Sequence, residues 1–305
     1  MNDILNTSEA DSLHRFMFEH APIRGELVHL DTSWRSVIER HDYPETLRNM
    51  MGELSAAAVL FAATLKLKGS LVLQIMGKGA IKLLVVECNG DMQLRATAKW
   101  SGDLAQGSFA ELVGDGQFAI TLDPKDGGQP YQGIVGLEGS SVAEILQNYM
   151  SHSEQLETRL WLVADGQYAA GMLLQKMPDS ANHDTDHTAD EPDDTWQRAS
   201  ILADTLKPDE LFSLSAQGLL KRLYHEDDIR LFDAQTVTFH CSCSRDNVAM
   251  MLKMLGHEEV ESILQERDSI EVFCEFCNQR YEFDKVDTSM MFIDSVILPP
   301  SESRH

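Results

Sequence analysis

Leu54-Ser55-Ala56-Ala57-Ala58-Val59-Leu60-Phe61-Ala62-Ala63-Thr64-Leu65 is the run that decides the fold. Alanine and leucine favour helix, and the only polar side chains in the run are two hydroxyls. A helix that is apolar on every side has to be buried on every side. The spacing predicts a central helix over 47–67, covered by sheet on more than one face, with small alanines allowing close approach.

The flanking sequence supplies that sheet. After Gly69, short apolar runs alternate with turn residues, and strands are expected at 71–76, 81–88, 92–98, 117–122 and 134–137. Asn89-Gly90 between two of them is a strong hairpin signal. Cys88 ends a run and reads as a buried strand thiol. Residues 140–149 have helical spacing with Ser140 or Ser141 as cap, and 158–163 with 168–177 form another strand pair around Asp165-Gly166. Upstream, Leu13, Phe16 and Met17 are spaced as a short helix, a strand follows over 24–30, and Tyr43-Pro44 marks a turn. Strands do not alternate repeatedly with crossover helices, so the expected class is α+β: a mostly antiparallel sheet core packed around a buried apolar helix.

Composition shifts after Pro178. Residues 179–194 hold seven acids and no Lys or Arg, as expected of a solvated loop. Three short amphipathic helices should follow over 194–206, 208–214 and 216–224. Their apolar stripe includes Ile201, Leu202, Leu206, Leu211, Phe212, Leu219, Leu220 and Leu223, and helices this short must dock on something. The expected domains are a core at 1–178, an acidic loop and helical linker at 179–234, and a small C-terminal zinc-binding domain at 235–305.

Four of the five cysteines lie in that last segment, as Cys241-Ser242-Cys243 and Cys274-Glu275-Phe276-Cys277. Side chains two apart on an extended segment share a face, so the first pair can meet one ion. A two-residue gap lets a tight turn aim the second pair at one tetrahedral centre, and Asn278 tolerates the left-handed conformation such a turn needs. Four thiolates favour Zn2+ in a closed shell, which suits a structural or switching site rather than a hydrolytic one. Helices are expected between the pairs at 247–255 and 259–265, and strands flank the second pair at 270–273 and 281–283. A segment this small buries little, so metal should supply much of its stability.

Unrelated buried cysteines and structural disulfides are the competing readings. Disulfides are rare in reducing compartments, and the first residues carry acids where a secretory signal would carry bases. The longest unbroken apolar run, 56–63, falls far short of the ~20 residues of a membrane span. A soluble, cytoplasmic protein is expected. Its formal charge of −24, from 25 basic and 49 acidic residues, repels a phosphate backbone and argues against nucleic acid. No nucleophile elbow, phosphate-cradling glycine loop or His-Glu-x-x-His helix is present, so no catalytic residue is nominated and a non-enzyme is expected.

Cys241-Ser242-Cys243-Ser244-Arg245 and Cys274-Glu275-Phe276-Cys277-Asn278 closely resemble the redox switch of the heat-shock protein 33 (33 kDa chaperonin) family. Gly52-Glu53-Leu54, Tyr131-Gln132-Gly133-Ile134-Val135-Gly136-Leu137-Glu138-Gly139, Ser153-Glu154-Gln155-Leu156 and Arg222-Leu223-Tyr224-His225-Glu226 resemble further family segments in the family's order. The resemblance implies an ATP-independent holdase with one Zn2+ per chain, inactive when reduced. Oxidation would pair Cys241 with Cys243 and Cys274 with Cys277, release zinc, loosen tail and linker, and expose a surface that captures non-native clients, with a homodimer accompanying activation. The face under residues 195–234 is the candidate client surface. Two other readings stand beside it: a constitutive zinc ribbon docking one folded partner, and an enzyme core with a structural zinc tail.

Overall fold

The computed structural model describes residues 10–65, 68–104, 107–125, 127–178 and 192–293. The chain forms two compact units, 1–240 and 241–305.

The larger unit opens with a hairpin, β1 (Ser12–Phe18) and β2 (Ile23–Leu30), followed by α1 (Thr32–Ile38) and the central helix α2 (Glu45–Leu65). Then come β3 (Gly69–Gly77), β4 (Ile81–Asn89), β5 (Gln93–Trp100), the short α3 (Phe109–Val113), β6 (Gly116–Pro124) and β7 (Tyr131–Gly136). Helix α4 (Val142–His152) precedes the hairpin β8 (Thr158–Ala164) and β9 (Ala169–Lys176). Beyond residues 179–191 lie α5 (Pro192–Ala203), α6 (Pro208–Ser213), α7 (Ala216–Tyr224) and three short strands, β10 (Ile229–Leu231), β11 (Gln235–Thr236) and β12 (Thr238–Phe239).

The strands make two sheets. One runs β10-β1-β2-β9-β8, with β11 also on β1, and the other β12-β5-β4-β3-β6-β7. Every pairing is antiparallel except the two-residue contact of β12 with β5. The class is the α+β expected from the sequence. Helix α2 packs against strands of both sheets, and its residues from Leu54 to Thr64 are all buried. Ser55 and Thr64, the two hydroxyls, donate back to the carbonyls of Met51 and Leu60 one turn earlier, so neither is left unsatisfied in the core.

One local expectation changes. Residues 12–18 are a strand, not a short helix. Leu13 belongs to the core around α2, whereas Phe16 and Phe18 belong to a second apolar cluster on the opposite face of the same sheet. A strand buried on both faces loses its alternating signature, and the i, i+3, i+4 spacing left behind imitates a helix. The hairpin expected at Asn89-Gly90 forms between β4 and β5, with Met92 as its left-handed residue at φ 56°. The Asn89 carboxamide accepts from the backbone N–H groups of Asp91 and Gln93 and fixes the loop.

The second cluster is where the linker helices dock. Ala199, Ala203, Leu211, Leu219, Leu220, Leu223 and Tyr224 pack on Phe16, Phe18, Ile23, Leu27, Ala170, Met172 and Leu174. Cys88 is fully buried in the larger unit, and burial pushes its thiol up to about 12. Most of the acidic segment expected at 179–194 lies outside the described residues. Among those described, no helix is long and apolar enough to cross a membrane.

The smaller unit comprises α8 (Arg245–Leu255), α9 (His257–Glu266), the hairpin β13 (Ser269–Phe273) and β14 (Arg280–Asp284), and α10 (Lys285–Ile293). Leu252, Val260, Leu264, Ile270 and Phe283 are the fully buried residues of its core.

Candidate metal centre

Each cysteine pair is delivered by a different kind of local structure. Cys241 and Cys243 sit in the short stretch without regular structure between β12 and α8. Ser244 stops that segment by capping the helix, its hydroxyl accepting from the Asn247 N–H at 3.1 Å. The Asn247 carboxamide in turn donates to the Ser242 carbonyl between the two cysteines, at 3.1 Å.

Cys274 and Cys277 occupy the tip of the β13–β14 hairpin. Asn278 N–H donates to the Cys274 carbonyl at 2.8 Å, and Cys274 N–H donates to the Gln279 carbonyl at 3.0 Å. Asn278 takes φ 55°, the left-handed conformation the sequence led us to expect there. The turn that results points both sulfurs to one side.

All four Sγ atoms lie within 4.8 Å of one another. Cys241 and Cys274 approach to 3.7 Å, and Cys243 and Cys277 to 3.2 Å. A tetrahedral zinc site with Zn–S near 2.3 Å has sulfur–sulfur edges of about 3.8 Å, while a disulfide needs about 2.05 Å. The spacing fits a four-thiol cage around one ion, and none of the four is in a disulfide. These are the residues that can hold a metal, and each is half-buried.

Burial is the largest influence on Cys277 and raises its thiol above the ordinary range, with the neighbouring cysteines adding to the effect. Thiols packed this closely resist ionising together. A divalent cation at their centre reverses that preference and makes thiolate the stable form. Tyr281 donates its hydroxyl to Cys243 Sγ at 3.1 Å, and that bond is the main reason its phenol is held up at about 12.

Arg245 ties the two cysteine-bearing segments together. Its guanidinium lies over the Phe283 ring, 4.3 Å from the centroid, donates to the Glu282 carbonyl at 2.7 Å and pairs with Asp287 at 2.8 Å. Tyr281 and Asn247 are the contributors that sequence reasoning did not single out. Tyr281 looked like an ordinary strand residue, and the only signal was its position four residues beyond Cys277.

The family model described as Hsp33 protein matches residues 11–284. A 33 kDa chaperonin of Methylobacillus flagellatus is 55% identical over 297 residues, 97% of this chain and 99% of that protein. One of Chromobacterium violaceum is 47% identical over 99% of this chain and 100% of that protein. The crystal structure of a 33 kDa chaperonin from Thermotoga maritima superposes with a TM-score of 0.77 at 21% identity, covering 94% of this chain and 99% of that one, which is a likeness of fold. With the family model spanning nearly the whole chain and full-length relatives near half identity, the chain belongs to the Hsp33 family of chaperones.

Proposed function

We propose that the chain is a cytoplasmic, redox-switched holdase that works without ATP, and that Cys241, Cys243, Cys274 and Cys277 hold one Zn2+ in its resting, reduced form. The observation that carries this reading is the four-sulfur cluster in a unit with so small an apolar core. Structural zinc contributes about 10–16 kcal/mol of apparent binding energy in small peptides, more than five buried side chains supply at about 1.5–3 kcal/mol each once chain entropy opposes them. The ion acts as the latch of the unit.

Opening the latch is a four-electron oxidation. Cys241 pairs with Cys243 and Cys274 with Cys277, as the family resemblance implies, and each new S–S bond passes two electrons to one equivalent of peroxide, which leaves as water. Cysteines tied up as disulfides would no longer supply the anionic sulfurs that hold the ion, and the smaller unit would lose its main support. The linker helices then release the apolar sheet face built from Phe16, Phe18, Ile23, Leu27 and Met172. An apolar patch on a body of charge −24 can hold a non-native chain while the complex stays dispersed. Activation is accompanied by homodimerisation, and nucleic acid and membranes are not partners.

The test pairs metal release, followed with a colorimetric chelator, with helix content by far-UV circular dichroism and with suppression of aggregation of a denatured client. One zinc per chain should leave under peroxide at elevated temperature as helix falls and protection of the client appears. Equal protection by the reduced and oxidised forms would sink the switch.

A further inference from the structure

Helix α8 has an apolar face that its own packing does not use. Val248, Ala249 and Leu252 turn inward to the core of the smaller unit. Met250 and Met254, one turn apart on the opposite side, are 58% and 81% exposed, and Met251 beside them is 41% exposed. Met290 on α10 is 65% exposed. A surface helix ordinarily carries polar residues on its outer face.

The distribution of methionine makes the departure specific. The chain has 14 methionines, and among the described residues all four exposed ones lie in the unit that carries the four clustered thiols. Those described in the larger unit are buried or half-buried. Leucine would give the same helix propensity and bulk. What methionine adds is a thioether that a two-electron oxidant converts to a polar sulfoxide.

We propose that Met250, Met251, Met254 and Met290 form an oxidant-modification site, which takes up hypohalous acid in competition with the cysteine thiolates and so sets how much of it is needed to open the thiol cluster. Each step is an oxygen transfer: the thioether sulfur gains the oxygen of the hypohalous acid, and halide and a proton leave. A neutral thioether is a poorer nucleophile than a thiolate, so peroxide reacts with the cysteines first, whereas the more electrophilic hypohalous acid reacts with both. The site therefore raises the threshold for one class of oxidant and not for the other.

The proposal rests on the reading of the four cysteines as the switch, but its first measurement does not. Reduced, zinc-loaded protein is titrated with hypochlorite and separately with peroxide, and sulfoxide in the peptides containing residues 250–254 and 290 is measured by mass spectrometry alongside metal release. In the hypochlorite arm, sulfoxide should appear at or before the equivalence at which metal leaves. The variant Met250→Leu/Met251→Leu/Met254→Leu/Met290→Leu, with its helix content checked by circular dichroism, should release metal at about half the hypochlorite equivalents of the parent. Its peroxide titration should superimpose on the parent's. Thioethers still unmodified after metal has left, or hypochlorite titrations that coincide for parent and variant, would overturn the proposal. A chain that bound no releasable metal would sink the switch reading, while the sulfoxide map would still decide whether these methionines are the modified ones.

Discussion

Tyr281 reaches the sulfur cluster through a single hydrogen bond, and groups of this kind set how firmly ligands hold a metal. Replacing it by phenylalanine keeps the ring and removes only the O–H that Cys243 accepts. Partners of metal ligands are worth about 10–100-fold in affinity, so Tyr281→Phe should weaken metal binding by about ten-fold in a chelator competition while leaving circular dichroism of the loaded protein unchanged. Unaltered affinity would mean that the hydroxyl is incidental. In the larger unit, Glu26 makes the opposite point about a buried polar group. Desolvation outweighs the pull of Arg24, the Thr64 hydroxyl and Arg15, and lifts its carboxyl from 4.5 to about 7. Between those values the folded chain holds a proton that the unfolded chain has lost. Stability from this group is therefore full below about pH 4.5 and declines as pH rises to about 7, by on the order of 2–3 kcal/mol. Urea midpoints should fall between pH 5 and pH 8 in the parent and fall by less in Glu26→Gln, where Glu53, also lifted to about 7 by burial, supplies the remaining decline. The elevated carboxyl was not legible in the sequence, because Glu26 lies among Arg24 and Gly25 in a run that looks half-solvated. Asn278 and Cys88 were legible, since a left-handed turn residue and a thiol at the end of an apolar run carry their reasons locally.

The sheet between α2 and the linker helices shows why some elements could be read and one could not. Helix α2 announces itself because burial on all sides leaves an unbroken apolar run, and the hairpins announce themselves through their turns. Strand β1 does not, because its two faces meet two different cores. Its pairing with β2 also hides a device that only the register exposes. Phe16 lies directly opposite Gly25, and a Cβ there would collide with the Phe16 ring and come within 2.8 Å of the Leu173 carbonyl oxygen. The docking of α5–α7 was expected from their apolar stripe, of which Ile201 stays 61% exposed, and the sheet face they cover is the partner the sequence left unnamed. Leu223 is fully buried in that interface. Truncating such a leucine costs about 2–5 kcal/mol, and the loss should fall on the docked helices before the rest of the core. Leu223→Ala should therefore bind a hydrophobic dye under reducing conditions and protect a client without oxidant. A variant that stays dye-silent and inactive while being measurably less stable would separate this interface from the client surface.

Across the whole molecule, the four tryptophans divide the signals cleanly. Trp34, Trp100, Trp161 and Trp196 all belong to the larger unit, and Trp196 lies on α5 against the linker cluster. Tryptophan fluorescence thus reports on the core and the linker, whereas the helix signal also contains α8, α9 and α10. On the proposed reading, chelating the metal from reduced protein would remove the latch of the smaller unit without touching any thiol by oxidation. At ambient temperature helix content should fall while fluorescence stays constant, because the linker helices are held by the buried cluster around Phe16 and Tyr224 and not by the ion. On warming, the fluorescence of Trp196, isolated by difference from Trp196→Phe, should shift several degrees earlier in the metal-free protein. The linker then no longer has a folded unit continuing its chain beyond His240, and short helices depend on such support. A Trp196 transition at the same temperature with and without metal would uncouple the two units. Metal loss would then act only on residues 241–305, and the apolar sheet face would need some other trigger for its release.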